Sequence, residues 1–152
     1  MFQKQQISFL GRCSSSSCAV CRFSAQSRLC ICMLCDSELV CFRDIDPAAP
    51  HHYLVVPKKH IESCFSLFKE HIKLVERMAE MGRAVLQENG ITNPNDIRMG
   101  FHRPPYISVP HLHLHVLAPT SEITDYMAHK FIPGTMRFAT VSANLTHSEQ
   151  IQ

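Results

Sequence analysis

Five short stretches of the chain mix apolar and polar positions with the rhythm of a strand, and one longer stretch has the rhythm of a helix. Glu38 to Asp44 (ELVCFRD) puts Val40 and Phe42 on one face and predicts a strand. His51 to Val56 (HHYLVV) is β-branched and aromatic, and Pro57 stops it. Asp96 to Phe101 (DIRMGF) predicts a third strand and His111 to Ala118 (HLHLHVLA) a fourth. Thr135 to Val141 (TMRFATV) predicts a fifth, after the turn signal Pro133-Gly134. Between the second and third, Phe68, Ile72, Val75, Ala79 and Leu86 keep one face apolar and predict a helix from Ser66 to Asn89, ended by Gly90. Gly82 lies on the same stripe, where glycine weakens a helix by up to about 1 kcal/mol. Asp46 to Pro50 (DPAAP) and His102 to Pro110 (HRPPYISVP) read as loops, because proline cannot donate to a ladder. No βαβ repeat appears. The expected class is α+β: an antiparallel sheet of about five strands with one long helix. The expected organisation is a variable tail over 1–17, one domain over 18–145 and a short C-terminal tail over 146–152.

Composition narrows the function classes. The 152 residues suffice for one domain with a sizeable core, and 45% hydrophobic with 18% charged is ordinary for a globular protein. A net charge of +2 without a polybasic stripe argues against a general nucleic-acid coat. No apolar run approaches the roughly 20 residues that span a bilayer, and Ile7 to Leu10 is too brief for a secretory core. Seven of the eight cysteines fall between Cys13 and Cys41, which reads as reduced thiols or a metal site. Residues 1–35 hold no Asp or Glu but carry Lys4, Arg12, Arg22 and Arg28 among many serines. That composition resembles a mitochondrial transit segment, but a variable tail is the favoured reading.

The unusual figure is ten histidines, four of them between 102 and 115. On a strand, His111, His113 and His115 would share one face and Leu112, Leu114 and Val116 the other. The leucine face reads as core, and the histidine face as solvent or a site. Three imidazoles on a straight strand spread over about 13 Å, too far to converge on one metal. A row of imidazoles supplies instead a nucleophile flanked by groups that titrate near neutrality. A tag-like histidine run on an exposed strand is the alternative.

HLHLHVLAP (111–119), together with FRDIDPAAPHHYLVVPKKHI (42–61), resembles the histidine triad superfamily, Hint branch. The likeness runs from about Cys18 to Pro119. It implies a histidine triad fold and hydrolysis of adenosine 5′-phosphoramidates, and of acyl-adenylates, with release of AMP. It implies that His113 is the nucleophile and forms a covalent nucleotidyl-histidine, flanked by His111 and His115. His52 matches the fourth histidine of the site, and Ser108 a serine near the leaving group, with loop capping as its other role. Asp44 matches the ribose-binding carboxylate. Phe42 and Ile45 would line the base pocket, or be plain core. Lys58 and Lys59 would bias the cleft toward phosphate, or be solvated. His102 stands where the branch usually has a nucleotide-contacting asparagine, the Gly-Gln pair before the triad is missing, and the chain has no tryptophan. The branch is typically dimeric, so a homodimer is expected. Residence in the cytoplasm, and in the nucleus as well, is expected too.

No cofactor is required for that chemistry. In some members of the superfamily a zinc pair stands at the position of Cys18 and Cys21, completed by histidines at the positions of His60 and His111. Cys18-x2-Cys21 followed by Cys32-x2-Cys35 allows a four-cysteine zinc site instead. Two other classes of function stay open: a nucleotide-binding scaffold with little turnover, and a small zinc-binding interaction module. Replacing His113 with Asn separates them, since only an enzyme loses turnover while keeping AMP binding.

Overall fold

The computed structural model describes residues 32–141. Six strands form one antiparallel sheet: β1 (Cys32–Cys35), β2 (Leu39–Arg43), β3 (His51–Pro57), β4 (Arg98–His102), β5 (Leu114–Ala118) and β6 (Phe138–Thr140). Their order across the sheet is β1-β2-β3-β5-β4-β6, and one long helix, α1 (Ile72–Glu88), lies on one face. The α+β reading holds, with one strand more than the sequence pattern shows. The extra strand is β1, whose CMLC stretch is too short and too uniformly apolar to display a period of two. The 1–17 tail, Cys18, Cys21, most of the acid-free 1–35 segment and the 145/146 boundary lie outside the described residues.

The strands of one sheet present alternate residues to two faces. On the helix face, Tyr53, Val55, Met99, Leu114 and Val116 join Val75, Met78, Ala79, Val85 and Leu86 of α1 in one buried cluster. Each such side chain contributes about 1.5–3 kcal/mol by leaving water. At Gly82 the helix crosses close against Val116 of β5. A Cβ there would stand 2.7 Å from Val116 Cγ2, so the residue that weakens the helix in isolation permits its docking. The helix begins at Ile72, six residues later than its apolar spacing predicts. Residues Cys64–Ser66 and Lys69–His71 form separate 3-10 turns, and Phe68 is exposed. The cause is local: the Ser63 hydroxyl accepts from Phe65 N–H at 3.3 Å, and Leu67 and Phe68 are extended, which breaks the helical run. At the far end Asn89 Nδ2 donates to Val85 O at 2.7 Å and Gly90 turns with φ of 80°, as the sequence predicts.

The other face carries a smaller cluster of Ala48, Ala49, Leu117, Met127, Phe131 and Phe138. Met127 sits in a one-turn helix, α2 (Asp125–Ala128). β6 closes the sheet against β4, with Gly100 opposite Thr140 and His102 opposite Phe138. Gly100 permits this, because a side chain there would collide with the Phe138 ring and Ala139 O. The turn from β1 to β2 is held by Asp36, whose carboxylate accepts Glu38 N–H and Leu39 N–H at 2.7 Å each. Arg77 of α1 pairs with Asp36 and Glu38, tying that turn to the helix.

Candidate active site

β3 and β5 are neighbours, with Leu54 opposite His115 and His52 opposite Leu117. That register brings His52 and His115 together on the face away from α1. His52 is 1% exposed and His115 6%. Buried imidazoles need partners, and those partners define the tautomers. His52 Nδ1 accepts Ala48 N–H at 3.0 Å, so its proton is on Nε2. That N–H points at His115 Nδ1, 2.9 Å away, which places the His115 proton on Nε2. His115 Nε2 is the one buried side-chain polar atom among the described residues with no hydrogen-bond partner.

Asp44 follows β2 and continues its pairing, its N–H donating to His52 O at 2.9 Å. Oδ1 accepts Asp46 N–H at 2.9 Å, and Oδ2 stands 3.3 Å from His52 Nε2. Asp44, His52 and His115 thus bring three donor atoms within 4.8 Å, a spacing that suits a metal. The tautomers oppose one, because Ala48 N–H occupies the only lone pair of the neutral His52 ring. Burial pushes His52 down to about 4, outweighing the Asp44 carboxylate that acts the other way. Burial likewise holds His115 well below its ordinary value, helped by the neighbouring imidazoles of His102, His113 and His52. Both rings are neutral at pH 7.

The triad is not one row on a strand. β5 begins at Leu114, so His111 and His113 precede the ladder, although Leu112, Leu114 and Val116 are buried as the pattern predicts. His113 Nδ1–H donates to His111 O at 2.7 Å, a local bond that bends the chain and leaves the His113 Nε2 lone pair open. The His113 ring packs 5.0 Å from that of His115, 65° apart. The His111 side chain turns away. Its Nε2–H donates to Pro57 O at 2.8 Å, and His60 Nδ1 lies 2.9 Å from His111 Nδ1. Of the three imidazoles, two face the site. The third contributes its carbonyl there and its ring to a separate pair with His60.

The remaining expected residues divide. Phe42 is half-buried on β2 and Ile45, just past Asp44, is 94% exposed. Neither is core. Ser108 is exposed in the loop before the triad. Lys58 does not face the cleft: its Nζ donates to Asp36 O at 2.6 Å, at the β1–β2 turn, because the chain has already passed the end of β3. Lys59 is exposed. Cys32 and Cys35 are bound into β1, their thiols donating to Leu34 O and Asp36 O at 3.6 and 3.5 Å. Cys41 is buried, which pushes its thiol up to about 12 and makes it inert.

Three contributors escape the sequence reading. Ala48 N–H fixes the His52 tautomer from inside the DPAAP loop. Phe131 is 1% exposed, with its ring centre 5.5, 5.3 and 5.1 Å from those of His52, His115 and His102. It excludes water from three imidazoles at once. Phe138 packs on Phe131 and His102. Phe131 stands in an irregular segment with no period to mark it, and Phe138 falls in the predicted fifth strand, where nothing in the pattern ties it to the histidines.

A family model described as "Scavenger mRNA decapping enzyme C-term binding" matches residues 17–130. The adenosine 5′-monophosphoramidase HINT3 of Danio rerio is 62% identical over 96 residues, covering 63% of this chain and 60% of that protein. The protein of the same name from Mus musculus is 53% identical over 109 residues, covering 70% of this chain and 66% of that protein. The crystal structure of a HIT family hydrolase from Legionella pneumophila Philadelphia 1 superimposes with a TM-score of 0.57 at 27% identity, covering 66% of this chain and 91% of that one. The chain spans only 58–66% of the length of the curated relatives of that name.

Proposed function

The chain belongs to the family whose model spans residues 17–130, within the histidine triad superfamily and its Hint branch, and on that premise we propose that it hydrolyses adenosine 5′-phosphoramidates to AMP and an amine. One observation carries the reading. His113 presents an open Nε2 lone pair beside a buried, neutral His115 whose own N–H has no partner.

The mechanism follows from the tautomers. His113 Nε2 attacks the α-phosphorus and the P–N bond breaks. Its electron pair leaves with the amine, which takes a proton from solvent. The His113 Nδ1–H stays on His111 O, so the adduct is a cationic phosphoryl-imidazolium, a good leaving group. Water then attacks phosphorus, the pair returns to His113 Nε2, and one proton goes to solvent. His115 Nε2–H donates to the phosphoryl oxygen as charge gathers there. The chain Ala48 N–H to His52 to His115 prevents the ring from presenting a lone pair instead. Asp44 Oδ2 accepts from the ribose hydroxyls, and Ile45 and Phe42 receive the base. Ser108 stands in the loop on the leaving-group side. AMP release from an adenosine 5′-phosphoramidate, followed by chromatography, tests the reading. The native chain is expected to release it, and the His113→Ala chain to do so at least about a thousandfold more slowly. Equal rates would refute it.

A structural zinc at His60 and His111 belongs to the same reading, since the donor set fits one. His111 donates its Nε2–H to Pro57 O, which frees Nδ1 as a ligand. The two Nδ1 atoms are 2.9 Å apart, close to the roughly 3.3 Å between ligands on a tetrahedral zinc. Cys18 and Cys21 would complete the site, and the metal would tie the N-terminal segment to the domain. Elemental analysis of the purified chain is expected to find one zinc, lost on His60→Ala. A metal-free native chain would refute this. A homodimer in the cytoplasm and nucleus completes the proposal, and sedimentation velocity showing only monomer would remove the dimer.

A further inference from the structure

His102 ends β4, and no role yet described uses its side chain. Its ring centre is 4.5 Å from that of His115, with the planes 70° apart. Phe131 and Phe138 wall it at 5.1 and 5.5 Å. Its backbone carbonyl accepts the Cys64 thiol at 3.6 Å, and its ring Nδ1 lies 3.4 Å from Arg137 O, just before β6. A carbonyl oxygen only accepts, so Nδ1 carries the proton and Nε2 the lone pair. Burial lowers the pKa of the ring, which keeps that lone pair free of a proton. Among the described residues Nε2 has no hydrogen-bond partner.

His102 and His115 therefore offer complementary groups side by side: an acceptor on His102 Nε2 and a donor on His115 Nε2. Building on the phosphoramidase reading above, we infer that His102 determines leaving-group specificity by accepting the N–H of the departing amine. A phosphoramidate nitrogen bears a hydrogen that the His102 lone pair can accept, while His115 Nε2–H holds the adjoining phosphoryl oxygen. A bridging ester oxygen bears two lone pairs and no hydrogen, so it would face the His102 lone pair unsatisfied. A nitrogen carrying two alkyl groups fails in the same way. The hydrogen stays on nitrogen throughout, and His102 neither gains nor loses a proton. An asparagine at this position could turn either its oxygen or its NH2 to the substrate. A histidine tethered to Arg137 O can only accept. The tether comes from the segment after residue 130, beyond the residues that the family model matches, so this reader is built by the residue that leads into β6.

Two matched substrates test the inference: the N-benzyl and the N-benzyl-N-methyl adenosine 5′-phosphoramidates. Both have a P–N bond, and only the first has an N–H. The native chain is expected to favour the first by about tenfold in kcat/KM, the worth of one neutral hydrogen bond. His102→Phe keeps a ring against His115 and removes the lone pair, and the preference should collapse toward one. His102→Asn restores an acceptor oxygen and should retain most of it. A preference that persists undiminished in His102→Phe reflects the bulk of the methyl group and overturns the inference. Equal rates for the two substrates in the native chain overturn it as well, leaving the nucleotidyl-histidine reading intact. If neither substrate is cleaved, that parent reading falls and this one with it.

Discussion

One sheet has two faces, built from alternate residues of the same strands, and they obey different rules. The helix face is filled by Tyr53, Val55, Met99, Leu114 and Val116 against α1, with no titratable base among these residues. The opposite face packs three imidazoles against Phe131, two of them buried and the third, His102, half-buried. There, burial without charge is achieved by depressing the histidines rather than by choosing apolar residues. The first face stores stability. The second uses part of it to hold polar groups in tautomers that the chain would not select in water.

Mutations should separate the two faces. His113→Asn is expected to lower turnover by roughly 10⁴-fold or more while leaving the unfolding midpoint nearly unchanged, since the ring is only half-buried. Its neighbour Leu114 is fully buried in the helix-face cluster. Leu114→Ala should cost about 2–5 kcal/mol in guanidinium unfolding and leave the turnover of the folded fraction close to native. If the two substitutions produced the same mixture of effects, the division between the faces would not hold.

Acid should act on one face only. His52 is held at about 4 against an ordinary 6.5, and His115 shifts in the same direction. The unfolded chain therefore binds protons that the folded chain refuses. The stability involved is fully present above about pH 6.5 and is lost as pH falls toward 4. For His52 alone the loss is on the order of 3 kcal/mol. Denaturation at pH 7 and pH 4.5 should show it, with the same difference in Leu114→Ala and a smaller one in His52→Asn. A pH-independent midpoint would contradict the tautomer assignment. The smallest effect is expected at Gly82. Alanine improves the helix by propensity but meets Val116, so Gly82→Ala should cost about 1–3 kcal/mol. A stabilised variant would show that the contact relaxes freely.

The helix face was the more legible in sequence. Apolar periodicity located α1 and all strands but β1, because burial imposes a period on any element that covers a core. The differences lie at ends: Phe68 has the spacing of a helix it does not join, and β5 starts at Leu114, three residues after the predicted start at His111. The site face was legible through residue types, not through period. His52, Asp44, His113 and His115 were identified by their resemblance to the triad family, and the fold brings them together. The alternation puts His111 on the face of His113 and His115, whereas its ring turns to Pro57 O and His60, and His113 donates to its carbonyl. Ala48 and Phe131 were invisible. One acts through a backbone N–H, which has no residue code, and the other through a position that only the tertiary fold creates.

The central claim is that phosphorus becomes bonded to His113 Nε2. Rapid mixing of the native chain with an adenosine 5′-phosphoramidate, quenching within milliseconds and intact-mass analysis tests it most directly. The predicted result is a gain of one adenylyl group, mapped to the peptide containing His113 and missing in His113→Asn. AMP release at the native rate from the His113→Asn chain, or an adduct at any other residue, would contradict it.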